Sequence, residues 1–114
     1  AEYYICDVRE LPQIKSAVKA AVERFGTLDI LINNAGIWTD NELEEKDPER
    51  RRLALEVNTL GAINMAFEVL PLMRAQNKGH ILNVISSSAA QDIPAGDNSG
   101  WCTYGATKWA MAGF

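Results

Sequence analysis

Two short apolar runs, at residues 28–33 and 80–85, constrain the fold of this chain more than any other feature. LDILIN and HILNVI are each too short for a helix and are bounded by turn residues, which is typical of strands buried on both faces. A third, β-prone run, YYICDV at 3–8, reaches an acidic residue at its end. Strands of this kind favour a parallel sheet, provided that helices connect them.

Segments with helical periodicity do separate these runs. After the first run the spacing predicts a helix that ends at Gly26, with an apolar stripe formed by Ile14, Val18, Ala21, Val22 and Phe25. A longer helix is predicted from about 49 to 77, weakened near Pro71, with one face traced by Leu53, Val57, Leu60, Asn64, Phe67 and Leu70. Residues 87–102 read as an irregular loop, and a last helix begins at Tyr104. The alternation predicts an α/β fold.

The composition argues against several classes of function. The 114 residues carry a net charge of -4 and a sequence pI of about 4.9, so we expect no nucleic-acid or anionic-membrane surface. No apolar run approaches the roughly 20 residues that span a bilayer. Cys6 and Cys102 show neither metal-ligand nor redox-motif spacing, so we expect buried thiols in a reducing cytoplasm and no metal site.

Polar and small residues follow each predicted strand. They are Asp7 after the first, Asn33 to Gly36 after the second, and Ser86 to Ser88 after the third. In open parallel sheets, ligands bind outside the carboxyl ends of the strands. The sequence therefore predicts a functional site at this edge of the sheet.

Tyr104 and Lys108 are four residues apart at a helix start and so share one helical face. A phenol is a poor base at neutral pH, but a neighbouring ammonium stabilises the phenolate and makes the tyrosine a usable proton donor or acceptor. Taken alone, the pair is better explained by chance, because many helices carry a tyrosine and a lysine at this spacing.

Three other features at the predicted edge have two explanations each. NNAG at 33–36 is either a plain β-turn or a place where a flat ligand approaches the backbone closely. Asn58, in the middle of a helix, either satisfies a neighbouring backbone group or holds a water. Asp7, taken alone, is best explained as a cap for the helix that follows.

Together these residues resemble the short-chain dehydrogenases/reductases (the SDR family) of the classical type. DV at 7–8, NNAG at 33–36, the asparagine of VNTLG, a serine after ILNVI and YGATK at 104–108 match the family's motifs in order and spacing. Each motif is weakly specific, whereas the ordered set is strongly specific. The resemblance implies a Rossmann-like, doubly wound parallel sheet, with residues 1–114 as the central part of a single NAD(P)-binding domain.

The resemblance also implies catalytic roles. Tyr104 would be the general acid/base that exchanges a proton with the substrate oxygen, and Lys108 would support it electrostatically. Ser86 would hydrogen-bond the substrate oxygen and stabilise developing charge. Asn58 would hold a water that links Lys108 to solvent. The implied reaction is hydride transfer between NAD or NADP and a small secondary alcohol or ketone.

Cofactor contacts are implied for a second set of positions. Asp7 would bond the adenine amino group and Val8 would pack on the adenine ring. Lys108 and Tyr104 would contact the nicotinamide ribose. Asn34, Ala35 and Gly36 would border the cofactor's ribose and stabilise the central sheet.

The choice among the three serines rests on register. Counting back from Tyr104 by the family's usual spacing reaches Gln91 and Asp92, so the loop is longer than usual. Family members that resemble GxIxNxxS place the serine three residues after the asparagine, and Asn83 then points to Ser86. Side-chain alternation along the strand puts Ser86 on the face of Leu82 and Val84, with Ser87 as the second choice if the strand end bulges.

The family's Gly-rich phosphate loop and substrate lid have no counterpart here. We therefore expect an internal fragment of a chain of roughly 250 residues. In the family's strand order, the segment at 3–6 is separated from 28–33 by two further strands, so we expect it to lack a neighbour and to leave apolar surface bare.

The oligomeric state, the substrate and the class of function follow less directly from the sequence. The resemblance implies a cytoplasmic homodimer or homotetramer that pairs through the helix at 49–77 and the one that begins at Tyr104. Trp38, Ile93 and Trp101 either suggest an apolar or ring-shaped substrate or simply anchor loops. The alternative function is a non-catalytic dinucleotide-binding sensor of the same fold. Loss of the tyrosine or the lysine would favour that alternative, but the sequence contains both Tyr104 and Lys108, so we favour the enzyme.

Overall fold

A computed structural model describes residues 1–39, 47–89 and 102–114. In it the chain folds into helices that pack against a small parallel sheet. Helix α1 spans Leu11–Phe25 and strand β1 spans Ile30–Asn33. A long helix follows, made of α2 (Pro48–Leu55), a π-helical turn (Glu56–Gly61) and α3 (Ala62–Ala75). Strand β2 (His80–Asn83), a 3₁₀ turn (Ser87–Ala89) and helix α4 (Cys102–Gly113) complete the described elements.

Strands β1 and β2 pair in parallel, as the two apolar runs predicted. Ile30 lies opposite His80 and Asn33 lies opposite Asn83. The pairing continues beyond the last residue of each strand, because the Val84 N–H donates to the Asn33 carbonyl at 2.9 Å. The prediction of a Rossmann-like parallel α/β fold is confirmed, with two strands paired in the described part of the chain.

The prediction that both faces of these strands are buried is wrong. Leu31 and Ile81 pack against the core cluster of Val18, Val69 and Met73, whereas Ile30 and Leu82 on the other face are 59% and 54% exposed. The helices of the described residues cover one face of the sheet only. Apolar side chains alternate in burial because successive residues of a strand point to opposite faces.

Residues 3–8 do not form the predicted strand. Among the described residues no strand pairs with this segment, and Tyr3 and Ile5 are 88% and 92% exposed. An extended segment becomes a strand only when a neighbour accepts and donates its backbone hydrogen bonds. The expectation that this segment lacks a neighbour beside 28–33, and that apolar surface stays bare, is confirmed.

Helix α1 agrees with its sequence pattern except at one end. Ile14 and Val18 are buried, and Gly26 ends the helix at a φ of +79°, a conformation that glycine adopts without a steric penalty. Phe25, predicted on the buried stripe, is instead 55% exposed.

The buried face of the long helix differs from the predicted one. Leu60 and Phe67 of the predicted stripe are exposed. The buried positions are Ala54, Asn58, Gly61, Ala62, Ala66, Val69 and Met73. Four of them, Ala54, Asn58, Ala62 and Ala66, follow one another at steps of four residues across the π-helical turn at Glu56–Gly61. A π turn holds one more residue than an α turn, so it rotates the downstream face away from the one that a constant period of 3.6 predicts. The helix also continues past Pro71 to Ala75.

Within the described ranges, the same helix is the one element that by length and composition could cross a membrane. Its 29 residues, Pro48–Gln76, include a window with a mean hydropathy of 1.3. Core helices of soluble proteins meet the same criterion, and this helix packs its small-residue face against the sheet and the neighbouring helices. The expectation of no membrane contact stays a prediction.

Gly61, at the end of the π turn, allows Val8 to lie close to the long helix. A Cβ on Gly61 would lie 2.6 Å from Val8 Cγ2 and 3.1 Å from the Val8 carbonyl oxygen. We therefore expect Gly61→Ala to lower the free energy of unfolding by about 1–3 kcal/mol, as overpacking does. Chemical denaturation measures this change.

Gly113→Ala is the matched control for this substitution, because a Cβ at Gly113 meets no atom within 4 Å. Equal stabilities for the two variants would contradict the proposed steric role of Gly61.

Candidate active site

The predicted edge of the sheet is the place where the candidate site residues meet. Asn34, Ala35 and Gly36 follow β1 and are exposed, and Ser86 to Ser88 follow β2. Because the two strands are parallel and in register, these two segments leave the sheet side by side. The exposed segment after β1 leaves room for a ligand to approach its backbone.

A pair of asparagines closes this end of the sheet. Asn33 Nδ2 donates to Asn83 Oδ1 on the facing strand at 3.0 Å and to the Ala62 carbonyl at 3.2 Å. This contact ties β1, β2 and the start of α3 together directly below the site. Sequence analysis did not single out this link, although the asparagine at the end of each apolar run was a signal for it.

Asn58 is 2% exposed, and protein groups satisfy its side chain. Its Oδ1 accepts from the Ile37 N–H at 2.7 Å, while its Nδ2 donates to the Ile37 carbonyl at 2.9 Å and to Thr107 Oγ1 at 3.1 Å. The first explanation offered by the sequence, a buried amide that satisfies neighbouring backbone, is therefore confirmed. Asn58 holds the loop after β1 against the long helix and α4.

Lys108 lies almost entirely inside the protein, at 6% exposure. Its Nζ donates to the Val84 carbonyl, just past the end of β2, at 2.9 Å. A Cβ on Gly36 would lie 3.7 Å from the same Nζ, so the glycine segment and the ammonium are neighbours. An ammonium has three N–H donors, and Val84 uses one of them.

Tyr104 and Lys108 come together as the helical spacing predicted. Lys108 Nζ lies 5.6 Å from the centroid of the Tyr104 ring. The Tyr104 ring also packs against Trp38, with a centroid distance of 4.4 Å and an interplanar angle of 50°. The phenol ring thus neighbours both a cation and an indole from the loop after β1.

The three serines after β2 have different environments. Ser86 is half-buried and its Oγ accepts from the Ser88 N–H at 3.2 Å, Ser87 is exposed, and Ser88 is 3% exposed within the 3₁₀ turn. Strand β2 ends at Asn83, so side-chain alternation along the strand does not extend to Ser86. The assignment of Ser86 then depends on the three-residue offset from Asn83 and stays a prediction.

Asp7 does not cap the following helix through its side chain, contrary to that expectation. Helix α1 begins at Leu11, with Glu10 at the capping position and no side-chain cap. Both carboxylate oxygens of Asp7 instead accept from Arg9. The Arg9 side chain first, and its backbone N–H second, lower the pKa of Asp7 from 3.8 to about 2.

The remaining predicted residues have mixed outcomes. Val8 is half-buried against Gly61, and Trp38 is 42% exposed beside Tyr104. Cys6 is half-buried and Cys102 is exposed, so the expectation of buried thiols is wrong. Ile93 and Trp101 lie outside the described residues. Within the described ranges, no group of three or more His, Cys, Asp or Glu side chains could hold a metal.

Comparisons of sequence relate this chain to known oxidoreductases. A family model described as short chain dehydrogenase matches residues 1–114. Oxidoreductase BOA17 of Botryotinia fuckeliana is 35% identical over 108 residues, which cover 95% of this chain and 38% of the relative.

Two solved structures of proteins with a bound nicotinamide dinucleotide are also similar to this chain. NAD⁺-bound xylitol dehydrogenase has a TM-score of 0.85 at 28% identity, over 96% of this chain and 41% of that one. ElxO with NADP bound has a TM-score of 0.84 at 30% identity, over 98% and 44%. The chain thus spans about two fifths of the length of the proteins it matches.

The Asp7–Arg9 contact predicts a measurable titration. A carboxylate with a lowered pKa stabilises the folded chain above the unfolded value of 3.8, and this contribution is lost as the pH falls through about 2. In Arg9→Ala we expect the pKa of Asp7 to rise towards 3.8, because the three hydrogen bonds from the guanidinium are removed. Carbon-13 NMR of the carboxyl group follows this titration.

Arg74→Ala, which removes a guanidinium from the last turn of α3, is the control and should leave the Asp7 titration unchanged. An unaltered titration in Arg9→Ala would show that the contact does not form in solution.

Proposed function

The chain belongs to the short-chain dehydrogenase family, and we propose that it carries the catalytic centre of an NAD(P)-dependent oxidoreductase that acts on a secondary alcohol or its ketone. The observation that carries this proposal is the buried Lys108 beside Tyr104 at the carboxyl ends of β1 and β2. A tyrosine beside a buried lysine at this edge of the sheet can act as the group that exchanges a proton with a substrate oxygen.

The residues at the edge of the sheet are suited to a nicotinamide dinucleotide. Lys108 has donors that Val84 does not use, the segment at 34–36 is exposed, and the Asp7 carboxylate is a hydrogen-bond acceptor. The solved relatives with bound NAD⁺ or NADP support this choice of cofactor. The residues that would hold it are Asp7, Val8, Asn34, Ala35, Gly36, Tyr104 and Lys108. The bound nicotinamide would supply the hydride acceptor or donor.

The protein's own groups would then position the substrate and move one proton. Tyr104 would give a proton to a carbonyl oxygen, or take one from an alcohol, at its phenolic oxygen. The Ser86 hydroxyl would hydrogen-bond the same substrate oxygen. Lys108 would stabilise the phenolate form of Tyr104 during the exchange.

In the proposed proton relay, Asn58 can bind a water in fewer ways than the family resemblance implied. Both N–H donors of its side chain are engaged, by the Ile37 carbonyl and Thr107 Oγ1. A water bound at Asn58 would therefore have to donate its hydrogen bond to an oxygen atom of this residue.

Association through the long helix and α4 also belongs to the proposal. Leu60 and Phe67 on the long helix are 52% and 64% exposed, and Phe114 after α4 lies 6.4 Å from Phe67 between ring centroids. These side chains form an apolar surface that a second copy would cover, which supports a homodimer or homotetramer. A cytoplasmic location stays a prediction.

Replacing the tyrosine tests the mechanism. In Tyr104→Phe we expect kcat to fall by about 10²–10⁴-fold, the contribution typical of a positioned acid/base, with dinucleotide binding retained. NAD(P)H absorbance against a panel of secondary alcohols and ketones gives the rate, and dinucleotide fluorescence gives the binding.

Tyr4→Phe is the matched control, because the exposed Tyr4 hydroxyl contacts only Glu2 among the described residues. Wild-type turnover in Tyr104→Phe would refute the mechanism. A wild-type protein that binds NAD(P)H and turns over no substrate would instead be the non-catalytic sensor.

The choice of serine is tested by a pair of single substitutions. We expect Ser86→Ala to lower kcat by about 10²–10³-fold, since it removes a donor to developing negative charge, and Ser87→Ala to change it little. Steady-state rates at saturating dinucleotide separate the two, and the reverse order would assign the role to Ser87.

A further inference from the structure

Thr107 lies between Tyr104 and Lys108 in sequence and has no assigned role in the proposed reaction. It is 0% exposed. Its hydroxyl donates to the Tyr104 carbonyl at 2.7 Å and accepts from Asn58 Nδ2 at 3.1 Å. Threonine in a helix commonly bonds a carbonyl of the preceding turn, but here the same oxygen also contacts a second helix.

The two bonds of Thr107 complete a chain of hydrogen bonds that ends at Tyr104. The Ile37 backbone, in the loop after β1, bonds Asn58 through both its N–H and its carbonyl. Asn58 bonds Thr107, and Thr107 bonds the backbone of Tyr104. This chain connects the segment after β1, the π turn of the long helix and the first turn of α4. Within this chain of hydrogen bonds, Thr107 is the residue that bonds Tyr104, which we propose to be catalytic.

We propose that the Thr107 hydroxyl is a positioning residue that sets the place of Tyr104 relative to the substrate and cofactor; this inference rests on the proposed function. Tyr104 lies in the first turn of α4, which begins at Cys102. Terminal turns of helices fray, so their position depends on contacts outside the helix. Thr107, itself in α4, supplies such a contact through Asn58 in the long helix, and its hydroxyl passes this contact on to the backbone of Tyr104.

Lys108 and Thr107 anchor α4 on two sides. Lys108 Nζ is bound to Val84 beyond the end of β2, while Thr107 is bound to Asn58 in the long helix. Together the adjacent residues tie α4 both to the segment after β2 and to the long helix. A displacement of about 1 Å of a reacting group can lower a rate by about 10²-fold, so the loss of one anchor has a catalytic consequence.

The alternative is that Thr107 is simply a buried hydroxyl with satisfied bonds, which matters for stability alone. Valine has nearly the same shape but no hydroxyl, so Thr107→Val leaves the Asn58 N–H and the Tyr104 carbonyl without this partner. A purely structural role predicts a lower melting temperature and an unchanged kcat in the molecules that stay folded. A positioning role predicts a lower kcat.

The experiment compares Thr107→Val, Thr107→Ser and Thr59→Val in the full enzyme, at a temperature where circular dichroism shows each to be folded. We expect Thr107→Val to lower kcat at least about tenfold, with the dissociation constant for NAD(P)H within about twofold of wild type. Thr107→Ser, which keeps the hydroxyl, should restore kcat to within about threefold of wild type.

Thr59→Val is the matched control, because the Thr59 hydroxyl joins the same two helices but, among the described residues, bonds only the Thr107 carbonyl, at 3.4 Å. It should retain wild-type kcat. If Thr107→Val does not fold, Thr107→Ala against Thr107→Ser isolates the hydroxyl instead. Failure of both apolar variants to fold would overturn the inference, since the hydroxyl would then serve the whole fold.

A folded Thr107→Val enzyme with wild-type kcat would also overturn the inference and would leave the proposed function intact. Failure of the proposed function has a different signature: wild-type turnover in Tyr104→Phe, or no turnover in the unmodified enzyme. The two failures are therefore distinguished by the same kinetic assay.

Discussion

The arrangement of the site depends on the buried amide of Asn58. Its side chain bonds the Ile37 backbone and Thr107 from within the π-helical turn, where Asn58 itself is buried. A buried amide is stable only when its partners are in place, so these bonds hold the loop after β1, the long helix and α4 at fixed separations. Tyr104 and Lys108 are carried on the last of these elements.

Small residues allow these elements to approach one another. Gly61 admits the side chain of Val8, Gly36 lies beside Asn58 and Lys108, and alanines form much of the buried face of the long helix. Larger apolar residues such as Phe67 lie on the opposite, exposed face. The usual rule that the largest apolar residues define the core therefore fails for this helix as far as Ala66, since close backbone approach favours the smallest side chains, whereas Val69 and Met73 do enter the core.

The type of each main element followed from local pattern. Both apolar runs formed strands and Gly26 ended α1, because strand propensity and the left-handed conformation of glycine act within a few residues. Burial was less predictable. Ile30, Ile32 and Leu82 are exposed because hydrophobicity describes what a side chain favours, whereas burial requires a neighbouring element on that face. The segment at 3–8 failed to form a strand for the same reason.

The sequence by itself determined the parallel α/β fold, the edge of the sheet where polar residues collect, and the pairing of Tyr104 with Lys108, since each depends on spacing along the chain. Only the tertiary structure decided that Asn58 bonds Ile37 and Thr107, that Asn33 bonds Asn83, and that Arg9 engages Asp7. The first two contacts join residues on different elements, and the third depends on a side-chain conformation in the turn before α1. Such geometry is fixed by packing, which no periodicity in the sequence records.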